Sequence, residues 1–123
     1  GLPDEFLPKV VVSEESVPPT LNDKALAERV MARWDAHFGD GVLVSGERLG
    51  MGAEDFPIFT IDPYIPSLYF AVGGTPPGDF ARERAGGPPV PSHHSPLFKI
   101  EPDASVTLGV EASVTALLDL LGS

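Results

Sequence analysis

The adjacent pair His93 and His94, in the stretch PSHHSPLF, is the most conspicuous feature with chemical potential, since the chain has only three histidines. Neutral imidazole is a common metal ligand. Neighbouring residues of a regular strand point to opposite faces, and histidine ligands on a helix are spaced i, i+4. At most one of the two is therefore expected to bind a metal, from an irregular backbone. Composition alone favours exposed loop histidines without a function.

The stretch MGAEDFPIF carries a second set of candidate residues. Glu54 and Asp55 follow a glycine-rich turn, and Pro57 is placed in the first turn of a predicted short helix. Acidic residues there stabilise a helix through its positive end. The same turn exposes backbone N–H groups that can hold an anionic substrate group. The spacing leaves both interpretations open.

A complete catalytic constellation is not found in the sequence. Ser95 has a neighbouring histidine but lacks the glycine-flanked context of a nucleophilic serine. The absence of cysteine excludes disulfides and thiolate metal sites in these 123 residues. His37, at the end of a predicted helix, is interpreted as structural, because a cation suits that position.

Composition limits the classes of protein and partner. The length of 123 residues fits a single domain, residues 1–123. A net charge of −10 repels phosphate backbones, so no nucleic-acid partner is expected. Apolar runs such as LYFAV are too short to cross a bilayer, so no membrane partner is expected either.

The clearest early element is a helix over residues 24–38. Asn22 and Asp23 precede it as candidate N-caps, and Gly39 is placed to end it. Its predicted apolar face consists of Leu26, Ala27, Val30, Met31, Trp34 and Phe38.

The stretch EPDASVTLGVEASVTALLDLLG predicts a longer closing helix with Asp103 as its cap. Its predicted core face consists of Val106, Val110, Val114, Leu117, Leu118 and Leu121.

Three apolar runs predict strands: Val10 to Val12, GVLVSGE, and PSLYFAVGG. Residues 75–91 are rich in glycine, proline and charge and predict a long surface loop. Strands that alternate with helices indicate an α/β fold, a small mixed sheet packed with helices.

Four stretches, PPTLND before a helix, MGAEDFPIF, LYFAVGG and SHHSPLFKIEPDASVTLGVEASVTALLDLL, follow one another along the chain. In this order and spacing they resemble the C-terminal part of the zinc-dependent amidohydrolases of the aminoacylase, carboxypeptidase and hippurate hydrolase family. The resemblance covers nearly all of the chain. It implies the last segment of a two-metal catalytic domain, the part that follows an inserted lid or dimerisation domain.

The resemblance assigns roles residue by residue. The family's His-Ser-Pro histidine, its last metal ligand in sequence order, corresponds to His94, and His93 receives no ligand role. Gly52, Ala53, Glu54 and Asp55 match a family loop near the active site and are the implied substrate-binding residues. Asn22 and Asp23 match the return into the catalytic domain, where an N-cap already explains them.

The family's other ligand motifs, and the glutamate that activates a metal-bound water, belong upstream and are missing here. The resemblance therefore implies a hydrolase of N-acyl amino acids or small peptides whose C-terminal part is inactive alone. Two divalent metals are implied for the full-length parent, zinc first, with manganese, cobalt or nickel as alternatives. The parent is expected to be a homo-oligomer in the cytoplasm, or in the periplasm if an upstream signal peptide exists.

The chain itself is then a deliberately expressed segment, a proteolytic remnant or a naturally truncated product. Its N-terminal glycine and early strand favour the first two explanations. The alternative from another class is a non-catalytic α/β interaction module that acts through an exposed sheet edge or apolar face.

Overall fold

The computed structural model describes residues 1–44 and 54–122. After a single 3-10 turn at Asp4–Phe6, its helices in chain order are α1 (Lys24–Phe38), α2 (Ile58–Ile61), α3 (Pro77–Arg84) and α4 (Pro102–Leu121). These described residues form no β-strand and no sheet. The predicted α/β fold with a small mixed sheet is therefore wrong, and the described architecture is helical.

Helix α1 has the bounds that its sequence predicts. The Asp23 carboxylate accepts a hydrogen bond from the Leu26 N–H at 2.9 Å, which satisfies one of the free donors of the first turn. At the other end, Gly39 has a φ of 79°, a left-handed conformation that favours glycine over residues with a Cβ. The predicted N-cap and the predicted stop are both confirmed.

The core is the contact between α1 and α4. Val30 is 1% exposed, Trp34 5% and Ala112 7%, and Thr115 is also buried. The Trp34 Nε1–H donates to the Ala112 carbonyl oxygen at 2.9 Å, so the indole enters the interface without an unsatisfied donor. A core of this size is small for the length of the chain, and each large side chain in it therefore matters.

Helix α4 packs on α1 through a different face from the one predicted. The predicted valines and leucines are exposed, whereas Ala112 and Thr115 are buried and Ala116 packs against the core. The helix is apolar on all sides, so periodicity alone offers more than one apolar face. The bulky indole of Trp34 selects the face with small side chains, because only there can it reach a main-chain carbonyl.

An ion pair at the edge of the interface joins the same two helices. The Arg29 Nε donates to the Asp119 carboxylate at 2.7 Å, and the Arg29 guanidinium also reaches the Asp119 carbonyl oxygen at 2.7 Å. A partly exposed pair of this kind contributes about 0–1 kcal/mol. It therefore adds little to the stability of the contact between α1 and α4.

The 20-residue α4 is long and apolar enough to cross a membrane, although core helices of water-soluble proteins meet the same criterion.

The start of α4 also differs from the prediction. Glu101 is the N-cap residue and Pro102 occupies the first turn, so Asp103 lies inside that turn and does not cap it.

The apolar runs predicted as strands are extended or irregular in the described part. Val10, Val11 and Val12 are largely exposed, and residues 41–44 of GVLVSGE form no strand, while its residues 45–47 lie outside the described residues. Residues 66–73 are also without regular structure. A strand exists only with a neighbour that completes its hydrogen bonds, and the described residues supply no such neighbour.

Residues 75–91 are not a plain loop, because α3 lies within them. Pro77 occupies the first turn, where its missing N–H costs nothing, and the Arg82 guanidinium pairs with the Asp79 carboxylate one turn away. Because the stretch is rich in glycine and proline, the sequence predicted a loop and this short helix was missed.

We expect Val30→Ala to lower the free energy of unfolding by about 2 kcal/mol, because it leaves a void in the small core. Val106→Ala is the matched control. Its side chain is 61% exposed, so the same substitution should change stability by less than about 0.5 kcal/mol. Urea unfolding followed by circular dichroism measures both. Equal losses would contradict the observed packing face of α4.

Candidate functional site

An open groove of about 570 Å³ brings two of the predicted site stretches together. We call it the Glu54–His93 groove. Its wall combines acidic, aromatic and small polar side chains from several segments. They include Glu54, Tyr69, Thr75, Phe80, Glu83, Ser92, His93 and Phe98. Stretches far apart in sequence therefore meet at one concave surface, which is where ligand sites usually form.

The acidic stretch contributes one of its two carboxylates to the groove. Glu54 lines the wall and is exposed, whereas Asp55 is exposed but does not line it. The Asp55 carbonyl oxygen accepts the Ile58 N–H at 3.0 Å and starts the turn that leads into α2. Gly52 and Ala53, the other predicted substrate-binding residues, lie outside the described residues.

The two adjacent histidines occupy the middle of a tight turn. The Ser95 N–H donates to the Ser92 carbonyl oxygen at 2.9 Å, so His93 and His94 are the two central residues. The Ser95 hydroxyl then accepts the Leu97 N–H at 3.1 Å, which stabilises the next turn. The irregular backbone expected for this stretch is confirmed.

The turn places the two imidazoles side by side. Their ring centroids are 4.4 Å apart and the ring planes are inclined by 51°. The opposite orientation that a regular strand would impose does not apply here. Both side chains are exposed, and His93 is the one that lines the groove. His94, the predicted ligand, lies beside it and not in the wall.

The described residues do not by themselves fit a metal ion. Across residues 1–44 and 54–122, no group of three or more histidine, aspartate or glutamate side chains converges closely enough to hold one. Stable sites for zinc or a similar metal use at least three protein ligands. Any metal bound at His94 would need ligands from outside the described part of this chain.

Glu83 is a groove residue that the sequence did not single out. Its carboxylate accepts the Val90 N–H at 3.2 Å, which ties the end of the loop after α3 back to that helix. This contact brings Val90 and Pro91, and with them the histidine turn, to the groove. Two sequence features could have indicated α3, namely a proline in the first helical turn, Pro77, and the i, i+3 pair of Asp79 with Arg82.

Asn22 and Asp23 attach residues 66–73, which we call the extended segment, to the start of α1. The Asp23 N–H donates to the Ser67 carbonyl oxygen at 2.9 Å. The Asn22 side-chain amide donates to the Tyr69 carbonyl oxygen at 3.0 Å, and its oxygen accepts the Tyr69 N–H at 2.7 Å. Both residues therefore have structural contacts, as their match to a helix start suggested.

The Tyr64 hydroxyl donates to the second Asp23 carboxylate oxygen at 2.7 Å. The pKa of Asp23 is lowered, first by the hydrogen bond from the Leu26 N–H and then by the Tyr64 hydroxyl, since both favour the charged carboxylate. The pKa of Tyr64 is raised, mainly because its neutral hydroxyl is held by that carboxylate. The hydrogen bond between Asp23 and Tyr64 therefore shifts the pKa values of both groups.

Comparisons of the chain with family models, curated proteins and solved structures gave no match.

Because the pKa of Asp23 is lowered, its contribution to stability is complete above pH 3.8 and is lost as the pH falls through the lowered value. We expect Tyr64→Phe to move the pKa of Asp23 upward, toward 3.8 but not to it, because the Leu26 N–H remains. The loss of stability between about pH 5 and pH 2 should then be smaller than in the unmodified chain.

Carbon-detected NMR titration of Asp23, with acid unfolding in parallel, measures both effects. Tyr69→Phe is the control, since the contacts of Tyr69 with this corner run through its backbone, and it should leave Asp23 unchanged. The same Asp23 titration in both variants would refute the side-chain contact.

Proposed function

We propose that this chain is the C-terminal part of a metal-dependent hydrolase that cleaves amide bonds of N-acyl amino acids or small peptides, and that the chain is inactive by itself. His94 is the proposed metal ligand, and Glu54 is the proposed part of the substrate wall. The proposal starts from the His-Ser-Pro and Gly-Ala-Glu-Asp-Phe stretches and their order along the chain.

The observation that carries the proposal is the convergence of these two stretches. Glu54 and His93 line the same groove although they belong to separate segments, and His94 is in ring contact with His93. Glu54 of one stretch and His93, the residue before the His-Ser-Pro motif, thus line one concave surface. Side chains that act on one substrate must meet in this way.

The unpaired extended segments also support a larger parent. The run around Leu68 to Val72 is apolar and packs in part on α1 and α4, yet the backbone of residues 70–73 makes no hydrogen bond to described residues. Exposed polar backbone beside an apolar run is what contact with additional sequence would cover and satisfy. On this proposal, that additional sequence also carries the missing metal ligands.

A second candidate function is that of a non-catalytic interaction module. The specific observation in its favour is the outer face of α4, where Val106, Val110, Leu117 and Leu118 are each more than half exposed. A contiguous apolar surface of this kind often marks a protein interface. The gene separates the candidates: upstream codons for the missing ligand motifs favour the hydrolase, and a start codon next to Gly1 favours the module.

His94→Ala in the full-length gene product is expected to reduce bound metal and amide hydrolysis by roughly two orders of magnitude or more, because a direct ligand is lost. His93→Ala is the matched control in the same turn and should stay within a few-fold of the unmodified enzyme. Metal content by mass spectrometry and hydrolysis of N-acyl amino acids measure the two effects. Equal losses from both variants, or full activity in His94→Ala, would overturn the assignment.

The isolated 123-residue chain is expected to bind zinc or manganese weakly and to hydrolyse no N-acyl amino acid, since its described residues do not converge on a metal. Isothermal titration with each metal, beside a hydrolysis assay at saturating metal, measures this. Stoichiometric tight binding or turnover by the isolated chain would show that the site is complete within it. The proposed dependence on further sequence would then be wrong.

A further inference from the structure

The side chain of Asn22 occupies both backbone hydrogen-bonding groups of one residue of the extended segment. Its oxygen accepts the Tyr69 N–H at 2.7 Å, and its amide nitrogen donates to the Tyr69 carbonyl oxygen at 3.0 Å. A flipped amide would set donor against donor and acceptor against acceptor, so the pair of bonds defines the orientation. The contact imitates one rung of a β-ladder with a side chain in place of a strand.

Tyr69 continues the connection toward the groove. Its ring packs against Phe56 with centroids 5.4 Å apart, and Phe56 follows directly on Glu54 and Asp55. The Phe56 carbonyl oxygen also accepts the Phe59 N–H at 3.1 Å, so the backbone of Phe56 is part of the turn into α2. Tyr69 itself lines the groove with Glu54 and His93.

We propose that Asn22 is a positioning residue: by holding the backbone of Tyr69, it fixes the Tyr69–Phe56 ring contact and thereby the place of Glu54 in the Glu54–His93 groove. The importance of Glu54 for a substrate rests on the proposed function. The effect of Asn22 on the position of Glu54 does not. Asn22 itself does not line the groove, so it acts only through Tyr69.

The second attachment of the segment makes the proposal testable. The Asp23 N–H to Ser67 carbonyl hydrogen bond and the N-cap of α1 do not involve the Asn22 side chain. Removing that side chain should therefore leave the segment attached at Ser67 and α1 intact. The effect is expected at Tyr69 and beyond it, and not in the whole fold.

The experiment compares Asn22→Ala, Asn22→Asp and the unmodified 123-residue chain by NMR. In Asn22→Ala the Tyr69 amide should exchange roughly tenfold faster or more, as expected when its hydrogen-bond acceptor is removed. The Phe56–Tyr69 ring cross-peaks should weaken, and the Glu54 amide signal should move. Asn22→Asp keeps the acceptor but loses the donor, so its Tyr69 exchange should lie between the two.

Ser113→Ala is the matched control. It also removes one side-chain hydrogen bond to a backbone carbonyl, that of Gly109 at 2.8 Å, but on α4 away from the groove. It should leave the Tyr69 exchange and the Glu54 signal unchanged. The Leu26 amide, which Asp23 holds, reports that α1 remains capped in every variant.

Unchanged Tyr69 exchange in Asn22→Ala would overturn the proposal, as would faster exchange with the ring cross-peaks and the Glu54 signal unaltered. The same Glu54 shift in Ser113→Ala would show a general loss of structure and would also overturn it. These outcomes are independent of the proposed function, which fails when the full-length product has no metal-dependent hydrolysis. A purely stabilising Asn22 would lower the melting temperature without moving Glu54 in the folded chain.

Discussion

The meeting of a large side chain with a small one, Trp34 on α1 with Ala112 on α4, is the contact on which the described fold depends. The indole is buried and its N–H is satisfied by a helix carbonyl, an arrangement that requires a short side chain at the point of contact. Phe70 then packs edge-on against the same indole at 4.8 Å. One residue thus joins α1, α4 and the extended segment, and that segment forms a wall of the groove.

The same contact explains why many apolar side chains of α4 are exposed. The interface uses the small residues of α4, so several of its large apolar side chains stay exposed, namely Val106, Val110, Val114, Leu117, Leu118 and Leu121. A buried methylene contributes about 0.8 kcal/mol, and leaving many of them in water limits the stability that this chain can reach alone. The exposed apolar face of α4 and the backbone of residues 70–73, which makes no hydrogen bond to described residues, both leave groups in contact with water.

At the candidate site, single hydrogen bonds from side chains and from one main-chain N–H hold segments that are not part of a sheet. The Asn22 amide holds Tyr69, the Asp23 main chain holds Ser67, and the Glu83 carboxylate holds Val90. Each contact joins a helix or its N-terminal end to a segment without regular structure, so the groove is assembled by individual hydrogen bonds. Such bonds contribute about 1 kcal/mol each. Because each one acts locally, replacing a single residue should change the shape of the groove near that residue alone.

The sequence by itself determined the local features: the span of α1, a cap at Asn22 or Asp23, its Gly39 end, a short helix near Pro57 and the irregular turn at His93 and His94. These depend on a few neighbouring residues, and their physics is complete within one or two turns. Only the tertiary structure decided which face of α4 is buried, because a helix that is apolar on all sides carries no preferred face until Trp34 meets it. It also decided that the apolar runs form no strand within the described residues and that Glu54 and His93 share a groove. Strand pairing and groove formation require distant partners, and apolar runs with strand character cannot show whether such partners are present.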